Sequence, residues 1–125
     1  MSQTNYSFKQ SLGFAINGIK IATKYNRNIR IHFIIAILVF LSCFILKMPL
    51  SDVAIIGMII LLVISVEIIN TAIEEIVDLV TKDYKEEAKI AKDVSAGMVL
   101  IVAVGSIAVG ILVFTPHILR FIFPS

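Results

Sequence analysis

The chain has 125 residues, of which 58% are hydrophobic and only 16% are charged, with a net charge of +2. Soluble domains are about 25% charged, so this composition predicts an integral membrane protein and excludes a disordered chain. The only cysteine, Cys43, excludes a disulfide scaffold. The small net charge argues against a nucleic-acid partner, and the length allows one domain, assigned to residues 1–125.

Residues 6–27 are predicted to form an amphipathic helix on the membrane surface. Apolar side chains recur there at helical spacing, and basic side chains occupy the opposite stripe. A basic amphipathic segment beside a membrane span usually lies in the plane of the interface. Plain lipid anchoring is the alternative role of this segment.

Three apolar stretches follow, and we assign them as membrane helices over residues 31–50, 53–80 and 95–114. The third contains an uncharged run from Ala96 to Phe114. At about 1.5 Å per residue, this run matches the ~30 Å thickness of the hydrocarbon core. Pro49 and Pro116 are expected to mark helix ends at one membrane surface.

Basic residues lie mainly at one end of these spans. Five precede the first span and four lie between the second and third, whereas the opposite end carries Lys47 and Arg120. The positive-inside rule therefore places the N-terminus in the cytoplasm and the C-terminus outside, in a multi-pass protein.

The second span carries acidic residues within its apolar sequence. A rotation of about 100° per residue places five polar residues on one helix face, here called the acid face: Glu67, Asn70, Thr71, Glu74 and Asp78. An acid inside a membrane helix costs on the order of 3 kcal/mol and usually has a functional role. The alternative is an ion pair that fixes helix packing.

Two chemistries suit carboxylates seven residues apart with an amide between them. One is a general base beside Mg²⁺, which is commonly held by one or two carboxylates and substrate phosphates. The other is a small oligomeric proton- or ion-coupled transporter with Glu67 as its relay. Because the acid face runs from shallow lipid into the cytosol, its depth favours chemistry on a lipid headgroup.

The segment after the second span contains Lys85, Lys89 and Lys92, with Asp93 next. Lysines at a membrane edge are most often anchors of the positive side. The alternative is that Lys92 holds nucleotide phosphates against the acid face. The sequence has no P-loop, dinucleotide fingerprint or protein-kinase motif, so a phosphoryl-transfer site would be built differently.

Two motifs resemble those of a known family. The second span contains E-I-I-N-T-A-I-E from Glu67 to Glu74, and A-K-D follows from Ala91 to Asp93. They resemble the E-x-x-N-[ST]-A-I-E and A-K-D signatures of the prokaryotic diacylglycerol kinase/undecaprenol kinase family of small three-span enzymes. The resemblance extends from about Ser11 to Phe114.

The resemblance implies roles for individual residues. Glu67 would be the general base for the lipid hydroxyl, and Asn70 would orient the site. Glu74 would bind the Mg²⁺ that accompanies the co-substrate ATP. The resemblance also implies contacts to the nucleotide from four residues: Asp83, Tyr84, Lys92 and Asp93.

The resemblance further implies a homotrimer with shared active sites in the bacterial cytoplasmic membrane. One departure concerns Asn26, which begins a segment similar to the family's E-x-N-x-R-I-H. The family has there a glutamate that is a second metal ligand, so Asn26 is the corresponding candidate. A neutral amide oxygen binds Mg²⁺ more weakly than a carboxylate, which makes a catalytically weakened family member an alternative.

The sequence thus predicts an all-α integral membrane protein with one surface helix and three transmembrane helices. The resemblance implies an ATP-dependent kinase that phosphorylates the primary hydroxyl of a membrane lipid. The product would be undecaprenyl phosphate or phosphatidic acid, from undecaprenol or diacylglycerol. The wording of the motifs is slightly closer to the undecaprenol-phosphorylating branch.

Overall fold

The computed structural model describes residues 6–124, and this part of the chain forms four α-helices. They are α1 (Phe8–Tyr25), α2 (Arg27–Ile45), α3 (Leu50–Val80) and α4 (Glu86–Ile122). The last three are long and apolar enough to cross a membrane. The all-helical fold with three such helices is therefore confirmed, while the surface position of the first helix and the trimer stay predictions.

A polar corner joins α1 to α2. Asn26 ends α1 and begins α2, because its Oδ1 accepts a 2.8 Å hydrogen bond from the backbone N–H of Asn28. Arg30 donates to the carbonyls of Thr23 and Lys24 at 3.2 and 2.6 Å. These bonds occupy carbonyls that the end of α1 leaves open, so the two helices are fixed to each other at this corner.

The helices differ from the predicted spans at their ends. The first membrane-length helix begins at Arg27 and ends at Ile45, several residues before the predicted boundaries on both sides. The prediction that Pro116 ends the last helix is wrong, because α4 continues through it to Ile122. Membrane helices tolerate an internal proline. Pro116 leaves the carbonyl of Leu112 without its helical donor, and Thr115 Oγ1 donates to the neighbouring carbonyl of Ile111 at 2.6 Å.

The turn between α2 and α3 contains one residue in the left-handed region, Lys47, with φ of 49°. Its N–H donates to the carbonyl of Phe44, and the N–H of Met48 donates to the carbonyl of Cys43. This is a Schellman helix end, which usually has glycine at the left-handed position. Met48 and Cys43 are both buried against Ile56, so packing holds the turn although lysine does not favour it.

The central pair is α3 and α4, which run antiparallel and are joined by polar contacts at both ends. Ser95 bonds to Asn70 near one end of the pair, and His117 bonds to Asp52 near the other. Most large apolar side chains of the described helices are exposed in the single chain. This distribution is expected for helices whose outer surfaces face lipid or further protein.

The strained turn gives a stability prediction. Lys47→Gly is expected to raise the free energy of unfolding by about 1 kcal/mol, because glycine has no Cβ to disfavour a positive φ. Lys47→Gln is the matched control, since it removes the charge but keeps the Cβ. Helical circular dichroism during titration of mixed micelles with a denaturing detergent measures both. Equal stability of the two variants would contradict the strain.

Candidate functional site

The deepest charged side chain of the described region belongs to Glu67, which is only 2% exposed. Its Oε1 accepts a 3.2 Å hydrogen bond from Asn26 Nδ2. The same amide group donates to Thr71 Oγ1 at 2.6 Å, and the Thr71 hydroxyl donates to the backbone carbonyl of Glu67 at 2.9 Å. One amide from the α1–α2 corner therefore holds the buried carboxylate and the neighbouring turn of α3.

A second chain of hydrogen bonds connects α4 to the acid face. Ser95, which is 3% exposed, donates its hydroxyl to Asn70 Oδ1 at 2.6 Å. Asn70 Nδ2 in turn donates to Glu74 Oε1 at 3.0 Å. Both ends of the buried amide are used, so its orientation is fixed from α4. Bonds of this kind are strengthened where water is excluded.

The lysine of the A-K-D motif borders the same face. Lys92 Nζ lies 2.7 Å from Asp78 Oδ1, and both side chains are partly exposed. Asp93 forms its ion pair with Lys89, one turn earlier on the same helix. The two neighbours in sequence therefore lie on different sides of α4, and the ion pair of Asp93 is made within α4 rather than with the acid face.

The other two expected nucleotide residues lie in the connection between α3 and α4. The backbone N–H of Asp83 donates to Thr81 Oγ1 at 3.2 Å. Tyr84 is 82% exposed. Within residues 6–124, neither side chain hydrogen-bonds to the acid face, and both remain open to solvent on the side of the bundle that carries Lys92.

Only some of the oxygen atoms on the acid face are arranged so that they could coordinate Mg²⁺. Across the described residues, no cluster of three or more His, Cys, Asp or Glu side chains could hold a metal ion. Asn26 Oδ1 is engaged in capping α2, and its Nδ2 is the atom that meets Glu67. Metal ligation by Asn26 would thus require a different side-chain arrangement. Glu74 fits a site in which substrate phosphates supply the other oxygens.

One residue of this site was not singled out from the sequence. Ser95 lies two residues beyond the A-K-D motif and was not among the predicted site residues, although its hydroxyl fixes the central amide of the acid face. The available signal was its position three residues after Lys92, since residues three or four apart share a helix face. Lys92 and Ser95 indeed both contact α3.

Comparison with known proteins agrees with this architecture. A family model described as prokaryotic diacylglycerol kinase matches residues 13–114. The chain belongs to the prokaryotic diacylglycerol kinase family. The matched range includes the acid face, Asn26 and Ser95, and it ends before His117 and Arg120. The family resemblance drawn from the two motifs is therefore confirmed.

Two relatives within this family of lipid kinases are similar over most of the chain. A diacylglycerol kinase of Synechocystis sp. is 37% identical over 110 residues, which cover 87% of this chain and 63% of the relative. An undecaprenol kinase of Bacillus subtilis is 36% identical over 111 residues, which cover 89% of this chain and 90% of the relative. The chain thus spans less than two thirds of the Synechocystis protein but most of the Bacillus protein.

The Ser95 bond gives a prediction about stability. Ser95→Ala is expected to lower the free energy of unfolding by about 1–2 kcal/mol, because it leaves Asn70 Oδ1 buried without its donor. Ser106→Ala is the matched control, since Ser106 Oγ donates only to the Val102 carbonyl of its own helix, at 2.6 Å. Detergent-induced unfolding measures the two variants. Equal losses of unfolding free energy in the two variants would show that the Ser95 bond stabilises the fold no more than a bond within one helix.

Proposed function

We propose that this chain is an ATP-dependent lipid kinase that phosphorylates the primary hydroxyl of a membrane lipid. The observation that carries the proposal is the buried Glu67 on the same helix face as Glu74, in a chain of this family. Glu67 lies within an apolar helix of membrane length, whereas Glu74 is exposed further along that helix. A lipid hydroxyl and a water-soluble nucleotide could approach each other along this face.

Glu67 has the properties needed for a general base. Its Oε1 is held by Asn26, while its Oε2 has no hydrogen-bond partner among the described residues. In the described region, every fully enclosed side-chain oxygen has a hydrogen-bond partner. Since Oε2 has none, it must belong to the small accessible part of this side chain. We assign Oε2 as the atom that takes the proton from the lipid hydroxyl, at hydrogen-bonding distance as such transfers require.

Glu74 is the residue that would hold the Mg²⁺ of Mg·ATP, together with the phosphate oxygens of the nucleotide. When bound, Mg²⁺ would supply neutralisation of the charge on the transferred phosphoryl group. The ammonium of Lys92 would add a positive charge, with a nucleotide phosphate competing against Asp78 for it. Asp93, Asp83 and Tyr84 are the further candidates for nucleotide contact, on the basis of the family resemblance.

The transfer itself requires little covalent chemistry from the protein. The lipid oxygen attacks the γ-phosphorus as its proton passes to Glu67, an O–P bond forms, and the bond to the β-phosphate oxygen breaks to release ADP. Catalysis of this type depends mainly on positioning and on charge stabilisation. The fixed amides of Asn26 and Asn70 hold one oxygen of each glutamate and so restrict both carboxylates.

We further propose a homotrimer, with the N-terminus in the cytoplasm of a bacterial cell. Much of the apolar surface of α2, α3 and α4 is exposed in one chain, and the open acid face could be completed by a neighbouring subunit. Undecaprenol is the preferred candidate substrate. The two relatives are almost equally identical, but the chain covers 90% of the undecaprenol kinase and 63% of the diacylglycerol kinase.

The base assignment predicts that Glu67→Gln lowers the rate of lipid phosphorylation by at least about 100-fold, which is the usual range for loss of a general base. Glu86→Gln is the control, because Glu86 is exposed at the start of α4. The assay supplies labelled ATP, Mg²⁺ and either undecaprenol or diacylglycerol to protein in bilayer vesicles. A rate near that of the wild type for Glu67→Gln would exclude it as the base.

Because Asn26 stands where the family has a glutamate, restoring a carboxylate there is predicted to strengthen the binding of Mg·ATP. Asn26→Glu is expected to raise the apparent affinity for Mg·ATP, because it adds an anionic ligand beside Glu67. Without Mg²⁺ the two carboxylates repel each other, so the same variant should unfold more easily in a chelator. Activity across a Mg·ATP titration measures the effect, with Asn17→Glu at an exposed position of α1 as the control. An unchanged titration would show that this position does not reach the metal.

A further inference from the structure

A second polar cleft lies at the opposite end of the bundle, here called the far-end cleft. Its floor is formed by Asp52, in the first turn of α3, and His117, near the end of α4. His117 Nε2 lies 2.7 Å from Asp52 Oδ2, and the imidazole is only 9% exposed. Asp52 is fifteen residues before Glu67, so the two sites are separated by about 22 Å along α3.

The far-end cleft has a volume of about 640 Å³, and its rim carries two basic side chains, Lys47 and Arg120. Neither forms an ion pair with any described residue. The only acid that lines the cleft is Asp52, which is already bonded to His117. The cleft therefore presents positive charge that the described part of the chain does not neutralise.

The α2–α3 turn places one of the two basic side chains at the cleft. This residue, Lys47, occupies the left-handed position of the turn, where glycine is favoured. The packing of Met48 and Cys43 against Ile56 holds this turn, so the backbone position of Lys47 is fixed. Lys47 lines the same cleft as Arg120, which comes from another helix, α4.

We propose that the far-end cleft binds a phosphate-bearing anion at the membrane surface opposite the acid face. Arg120 and Lys47 contact the phosphate, and the Asp52–His117 pair fixes the floor between α3 and α4. A guanidinium can bind two phosphate oxygens at once, and an ammonium adds a point charge. The phosphate belongs either to an anionic lipid headgroup or to a free anion in water, which present the same chemistry.

The test uses the full chain in micelles of an uncharged detergent, with native mass spectrometry to count bound molecules. The probes are phosphatidylglycerol, zwitterionic phosphatidylcholine and inorganic phosphate. The wild type is expected to prefer phosphatidylglycerol over phosphatidylcholine by about tenfold in Kd, and the double variant Lys47→Gln/Arg120→Gln is expected to lose that preference. Competition by inorganic phosphate would assign the site to free anions, and its absence would assign it to the headgroup.

The matched control is Lys9→Gln/Lys20→Gln on α1, which removes the same charge away from the far-end cleft. It should keep at least a third of the wild-type preference. Lys47→Gly adds a second check, since it should weaken binding although glycine favours the turn. An unchanged preference in the double variant, or an equal loss in the control, would overturn the proposal.

Anion binding at the far-end cleft does not depend on the proposed kinase function. None of the far-end residues belongs to the acid face, so the double variant should phosphorylate lipid at the wild-type rate. A wild type that binds phosphatidylglycerol selectively through Lys47 and Arg120 but phosphorylates no lipid would contradict the kinase and support the far-end cleft. Selective binding that does not depend on Lys47 and Arg120 would contradict the proposal for the far-end cleft.

Discussion

The structure depends on the placement of a carboxylate, Glu67, within an apolar helix of membrane length. Removing such a group from water is costly unless hydrogen bonds compensate for the lost hydration. Asn26 provides a hydrogen bond from the corner between α1 and α2, and Ser95 stabilises the adjacent amide of Asn70 from α4. The α1–α2 corner and α4 thus both contribute to one polar face of α3, so packing of these elements and formation of the candidate site depend on each other.

This arrangement separates the bundle into two chemically different ends. At one end, the acid face collects Glu67, Glu74 and Asp78, and Lys92 is the basic side chain joined to it. At the other end, two basic side chains, Lys47 and Arg120, line the same cleft as Asp52. The apolar stretch between them is long enough to keep the two sets of charges about 22 Å apart. Two surfaces of one membrane could therefore be served by separate sites on the same pair of helices.

Much of this organisation follows from sequence periodicity, because hydropathy marks the spans and helical geometry fixes which residues of α3 share a face. Hydropathy and helical periodicity do not predict which side chains of different helices contact each other. The roles of Ser95 and Arg30 depend on which faces of α4 and α2 meet their neighbours, and the amide of Asn26 has two ends that the sequence cannot orient. The separation of Lys92 from Asp93 follows from their 100° offset on one helix. Helix continuation through Pro116 was also missed, because membrane helices tolerate an internal proline that would end most soluble helices.

The function that we propose for the acid face is transfer of a phosphoryl group from a nucleotide to a lipid hydroxyl. The most direct measurement is the fate of the terminal phosphate of labelled ATP, with the purified wild-type chain in vesicles that contain both undecaprenol and diacylglycerol. We expect Mg²⁺-dependent appearance of the label in a lipid phosphate, with ADP formed in equal amount. Absence of label from both lipids, in protein shown to be folded by its helical circular dichroism, would contradict it.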